Sequence, residues 1–316
     1  MNFKGLVILI ACFLPITSLS KESASKNKIQ ALSTIPDLAW LIQEIGGDKV
    51  NSQALLTGRE NPHHVDAIPE FVLRVADADL VCMVGMELEI GYLPPVLSRS
   101  GNAKVQAGSG LYCDASRQVP VLEKPSAPVN RSMGDVHPHG NPHYYLSPTA
   151  MSAAASEITS LLSKVKPEHA KQFLTASELL KNKLLAIAQS NKEQLKSIDR
   201  SKPLIIEYHK EFSYFFNEYE LNSFGSIEEK PGVPPSAHRI GEIALAAKKA
   251  GVKIALATDY SPTKVLKRFS EISGIPFIQV PTMIQPGSKF DSYEKVQTYI
   301  AEALKAALSS PSKTET

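Results

Sequence analysis

Apolar residues along this chain alternate between two spacings, one that suits strands and one that suits helices. Ile29 to Ile35 is a short apolar run and predicts a strand. Asp37 to Ile45 repeats at helical spacing and stops at Gly46-Gly47, and Val50 to Leu56 returns to strand. A helix follows over Ile68 to Ala76, a buried strand over Leu80 to Val84, and another helix over Leu93 to Arg99, around Pro94-Pro95. This is the alternation of βαβ units, so a parallel α/β lobe is expected over residues 21–165. Between Gly101 and Pro148 the periodicity fades and Gly, Pro, Ser and Asn dominate. That composition predicts a long irregular segment, and long loops usually carry function.

After Pro148 the pattern is helical from Thr149 to Ile198, broken once at Lys166-Pro167, where proline pushes its predecessor out of helix. The second part, Glu168 to Ile198, predicts a helix of about 31 residues, roughly 45 Å long. Leu174, Leu179, Leu180, Leu184, Leu185 and Leu195 are available for packing along it. A helix longer than one lobe needs can tie two lobes together stiffly, and residues 166–200 are assigned to that link. Strands are expected at Pro203–Tyr208, Leu221–Ser226, Val252–Thr258 and Phe277–Val280. Helices are expected at Lys210–Tyr219, Ala237–Ala250, Thr263–Ser273 and Ser292–Leu308, giving a second α/β lobe over 201–316. The predicted fold is therefore α/β, with two parallel-sheet lobes joined by a long rigid helix.

Composition narrows the class. With 316 residues, 43% of them hydrophobic, there is apolar material for two cores. A net charge of +2, with no long basic run, gives no footprint for nucleic acid or an anionic membrane. Residues 1–20 place Lys4 before an apolar stretch from Leu6 to Leu14 and read as a secretory signal peptide, so the rest should work outside the cytoplasm. Cleavage after Ser20 is favoured over a lipoprotein route in which Leu9-Ile10-Ala11-Cys12 would leave lipid on Cys12. Ordinary cleavage leaves Cys82 and Cys113, either a disulfide or two buried thiols.

Six of the eight histidines lie in or beside three short motifs at junctions of a strand or loop with a helix. The first is Asn61-Pro62-His63-His64. The second is Gly140-Asn141-Pro142-His143-Tyr144-Tyr145-Leu146-Ser147-Pro148, and the third is Tyr208-His209-Lys210-Glu211-Phe212, directly after a strand. Such edges face the crevice of an α/β layer. Imidazole is the commonest zinc ligand, and three imidazoles with a carboxylate or water complete a tetrahedron. Each histidine alone reads equally well as a surface or hydrogen-bonded residue.

Together these motifs resemble the solute-binding proteins of zinc and manganese ABC importers, the cluster with a rigid interdomain helix. Thr34-Ile35-Pro36-Asp37-Leu38-Ala39, Gly46-Gly47-Asp48 and Ala76-Asp77-Ala78-Asp79-Leu80-Val81 extend the likeness to nearly the whole exported chain. The resemblance implies that His63, His143 and His209 ligate the metal in the cleft. It also implies a membrane permease as partner and a cytoplasmic ATPase on another chain. Manganese-binding relatives place a carboxylate where His209 stands, so the all-histidine set favours Zn2+ over Mn2+. The usual fourth ligand, an aspartate past the last core strand, is missing from Val280-Pro281-Thr282-Met283. Asp259 is the tentative substitute, with Glu60 or water as alternatives; Asp259 would otherwise cap the helix beginning near Pro262.

His64 should point away from its neighbour's partners. His137 and His139, in Gly134-Asp135-Val136-His137-Pro138-His139-Gly140, resemble a reduced form of the histidine-bearing loop of zinc-specific relatives and are open to a role in metal capture. His169 and His238 are expected to be structural or solvated, and Trp40 and Tyr144 to pack near the cleft. A secreted zinc hydrolase is the main rival, but the chain has neither His-Glu-x-x-His nor Gly-x-Ser-x-Gly, and no Walker motif. An adhesin role is secondary to transport on this reading, and a monomer is expected.

Overall fold

The computed structural model describes residues 28–309; the expected signal peptide, with Cys12, lies outside them. Strand β1 (Ile29–Ser33) enters helix α1 (Pro36–Gly46), whose Pro36 and Asp37 suit a first turn. Leu38, Leu41, Ile42 and Ile45 recur on one face of α1, which is why that face is buried. Next come β2 (Val50–Ala54), α2 (Pro69–Ala76), β3 (Leu80–Met83), α3 (Leu93–Ser100) and β4 (Tyr112–Asp114). These strands form a parallel sheet in the order β2-β1-β3-β4. Strand β4 lies inside the segment expected to be irregular. It is three residues long, too short for a period-2 pattern to register. Cys82 and Cys113 face each other across β3 and β4 and form a disulfide, settling the open alternative for that pair.

Helix α4 (Pro148–Val165) begins at Ser147, whose hydroxyl caps the Ala150 N–H. A single turn at Pro167–His169 separates it from α5 (Ala170–Leu195), which has 26 residues and is about 39 Å long. It is shorter than the 31 expected because proline geometry consumes one end and the chain turns after Leu195 at the other. Phe173, Leu180, Leu184, Ile187 and Leu195 are buried along it, whereas Leu174, Leu179 and Leu185 are exposed, at 58%, 66% and 49%. Those three leucines do not pack as expected, because they fall off the buried face.

The second sheet comprises β5 (Ile205–Glu207), β6 (Ser223–Ser226), β7 (Ile254–Thr258) and β8 (Phe277–Val280), parallel and ordered β6-β5-β7-β8. Its helices are α6 (Ser213–Tyr219), α7 (Ala237–Ala250), α8 (Thr263–Ser273) and α9 (Tyr293–Ser309). Helices on both sides explain why β7 is buried throughout. Among the described residues no helix is long and apolar enough to cross a membrane.

Helix α5 reaches both halves. Lys183 lies 3.4 Å from Glu44 of α1, and Asn191 donates to the Tyr219 hydroxyl of α6 at 3.3 Å. A second seam also joins the halves. The Ile284 N–H donates to Asp37 at 3.0 Å, the Gln285 amide to the Gly58 carbonyl at 3.3 Å, and Trp40 stacks on Tyr293 with centroids 5.1 Å apart. Gly58 has φ +81°, and a side chain there would meet the Ile284 carbonyl at 2.0 Å, so this approach of the lobes requires glycine.

Candidate metal centre

In both sheets the strand order reverses between the first strand and its second neighbour, at β1/β3 and at β5/β7. Crevices form at the carboxyl ends of strands at such points. His209 follows β5 directly. His63 lies on the β2–α2 loop and His143 opens a one-turn helix, His143–Leu146, before α4. The three side chains converge there, their candidate ligand nitrogens all within 4.8 Å of one another.

The two Asn-Pro-His motifs fold the same way. Asn61 Oδ1 accepts the His63 N–H at 3.0 Å, and Asn141 Oδ1 accepts the His143 N–H at 2.9 Å. Proline between them fixes one backbone angle, so the asparagine closes a tight turn that aims the histidine inward. Asn141 Oδ1 also meets His143 Nδ1 at 2.9 Å, while its amide donates to Glu123 and to the Lys210 carbonyl. This turns the other ring nitrogen, Nε2, toward His63 Nε2, 2.9 Å away. His209 Nδ1 is held by Glu228 at 2.8 Å, and Glu228 also accepts the Gly232 N–H. Orienting partners of this kind set the tautomer and present the remaining lone pair.

Burial, followed by the neighbouring imidazoles, holds His63 and His143 well below the usual value of 6.5. Both are neutral and ready to ligate at physiological pH. For His209 burial also opposes protonation, but the Glu228 hydrogen bond and the charges of Glu211, Glu228 and Glu207 outweigh it and raise the value. Three imidazoles bound to one zinc at about 2.0–2.1 Å place their nitrogens roughly 3.3 Å apart, so this triad needs little rearrangement to fit such an ion.

The other candidates fall outside the convergent set. Asp259 accepts from the Gln285 amide at 2.5 Å, and Glu60 is occupied by Thr57 and the Arg59 N–H. His64 faces Asp135 at 3.5 Å, His139 faces Glu87 at 3.7 Å, and His238 is solvated beside Glu242 at 3.3 Å. Tyr144 is buried and donates to the Val84 carbonyl. Sequence reasoning missed Glu228, which sits in a proline-rich loop with no periodic pattern to mark it.

Two parallel α/β lobes, a stiff linking helix and an imidazole cluster at the crevice define a two-lobed metal-binding protein. Residues 32–307 match the family model described as zinc-uptake complex component A, periplasmic, and the chain belongs to that family. It is 24% identical over 313 residues to the metal ABC transporter substrate-binding lipoprotein ScbA of Streptococcus cristatus, covering 96% of this chain and 98% of the relative. It is likewise 24% identical to the manganese ABC transporter substrate-binding lipoprotein PsaA of Streptococcus mitis, covering 96% of each. In fold it is similar to the periplasmic zinc binding protein TroA of Treponema pallidum, with TM-score 0.74, 18% identity and coverage of 90% and 100%. The chain is thus an extracytoplasmic substrate-binding protein of the metal ABC-importer class, as the sequence motifs implied.

Proposed function

We propose that the chain captures one divalent transition metal ion, Zn2+ in preference to Mn2+, with His63, His143 and His209, and delivers it to a membrane permease. The observation that carries this reading is the convergence of three imidazoles without a carboxylate oxygen in the set. Nitrogen donors suit zinc, whereas manganese favours oxygen. The relatives' names divide between the two metals, so the preference for zinc rests on the donor chemistry. Copper and nickel would bind such a site at least comparably, and the cargo in the cell also reflects which ion is available.

Capture needs all three Nε2 lone pairs. His143, whose Nδ1–H faces Asn141 Oδ1, offers its lone pair already; His63, whose Nε2–H points at it, must shift that hydrogen to Nδ1 as the ion arrives, and His209 presents Nε2 with its Nδ1 held by Glu228. Glu228 then balances part of the ion's charge through the His209 ring. Release requires the imidazoles from the two lobes to part, and α5 together with the Asp37–Ile284 seam limits that motion to a small one. Docking on the permease supplies the pull. Export through residues 1–20, with cleavage after Ser20, and action as a monomer complete the reading.

Calorimetric titration of the chelator-stripped chain, residues 21–316, with zinc and then manganese tests it. One tight zinc equivalent, weak manganese binding and loss of tight binding in His143→Ala are expected. Unchanged zinc affinity in His143→Ala would overturn the site.

A further inference from the structure

We infer that His137 supplies the fourth ligand, so that the bound ion is enclosed by four imidazoles. This rests on the proposal that His63, His143 and His209 hold the ion. Three observations converge on His137. Its Nε2 is buried and has no hydrogen-bond partner among the described residues, an arrangement that costs free energy unless something else satisfies the lone pair. Its ring centroid stands 5.1 Å from that of His63, as close as the proposed ligands stand to one another, and the ring lines the same cavity as His143 and His209. The carboxylates expected to fill the position, Asp259 and Glu60, are engaged elsewhere.

The surroundings of His137 resemble those of a positioned ligand. The Nε2 lone pair has no competing partner, so it is free to ligate. Met86 and Glu87 both adopt left-handed backbone angles, φ +53° and +67°, a conformation side-chain-bearing residues seldom hold without a structural reason. The loop bearing His137 is pinned to the second lobe by the Asp135 N–H on the Pro231 carbonyl at 2.8 Å, and to the first by Asp135 against His64. His137 is not one of the three convergent side chains, and on this inference its ring swings from beside His63 to complete the tetrahedron. The loop then covers the ion against water. A fourth nitrogen strengthens discrimination against manganese, which an oxygen ligand or open water position would weaken.

X-ray absorption and zinc titration on the wild-type chain, His137→Ala and His139→Ala test this inference. The wild-type spectrum should require four imidazoles, and His137→Ala should show three with one oxygen. Zinc Kd should rise in His137→Ala by at least the roughly 10–100-fold that loss of an orienting partner costs. His139→Ala should match the wild type, because that ring faces Glu87 on the exposed side. If His137→Ala folds poorly by circular dichroism, His137→Gln must show the same loss of one imidazole. Three imidazoles in the wild type, with unchanged affinity in His137→Ala, would overturn the inference and leave the triad standing. A wild-type chain that binds no zinc would overturn the triad itself.

Discussion

The first sheet holds its edge strand β4 to β3 through three residue pairs and the Cys82–Cys113 disulfide, whereas the second holds β8 to β7 through four pairs and no covalent link. Strand order is otherwise the same in the two. The contrast extends to the site. The first lobe brings its histidines in on loops, through paired asparagine turns, while the second places His209 at the end of a strand and fixes it with Glu228. Where the backbone already aims a ligand, one outer carboxylate suffices to orient it. Where a loop must do so, the chain adds a local turn, and the sheet beneath carries a disulfide between neighbouring strands.

The largest effect should come from removing that disulfide. The Cys82→Ser, Cys113→Ser double variant should lose about 2–4 kcal/mol of stability in denaturant unfolding, with zinc affinity little changed. An equal loss of affinity would show that the first sheet's edge positions the site directly. Next, Glu228→Gln should weaken zinc binding by roughly 10–100-fold, since it removes the charge that orients His209. Unchanged affinity in a titration would mean that the strand end alone fixes the ring.

A pH series separates the groups whose folded values are raised from the two imidazoles whose values are lowered. Burial raises Asp37 and Glu89 to about 7 and Glu207 to about 8, and His209 is raised as well. In each case the folded state holds its proton at a pH where the unfolded state has released it. The stability from these groups is therefore lost as pH rises through the folded values. The imidazoles of His63 and His143 are lowered and work the other way, but only below 6.5. Thermal unfolding of metal-free protein should show stability falling from pH 6.5 to 8, and Asp37→Asn should flatten that fall. A rise over that window would contradict the assigned shifts. Zinc affinity should run opposite, weakening below about pH 6 as protons compete for the imidazoles.

The smallest effects test the paired turns. Asn141→Ala should cost more zinc affinity than Asn61→Ala, because Asn141 holds both the backbone and the ring of its histidine. Each lost hydrogen bond contributes about 0.5–1.5 kcal/mol. Equal losses in titration would show that only the backbone turn matters.

Much of this molecule was legible along the chain. Helices Ala237–Ala250 and Thr263–Ser273 and strand Phe277–Val280 match their apolar patterns end to end, since the two helices bury one face and the segments stop at Gly251, at Gly274 and near Pro281. The Asn-Pro-His pairs and the histidine after β5 marked the triad because their local geometry is written in adjacent residues. Strand β4 escaped because three residues cannot display a period. Exposure of Leu174, Leu179 and Leu185 was equally hidden, because a leucine's own identity does not say which face of a helix meets a neighbour.

By itself the sequence determined what depends on neighbours a few positions apart: the element order apart from β4, the break before Pro167 and the three ligand candidates. Only the tertiary structure decided what depends on distant residues meeting. It joined Cys82 to Cys113, set Glu228 behind His209, engaged Asp259 with Gln285 away from the triad and left His137 Nε2 buried beside the site. The physical reason is that hydrogen-bond partners and burial are properties of the packed chain, fixed when two sheets close on one crevice and absent from any local stretch of sequence.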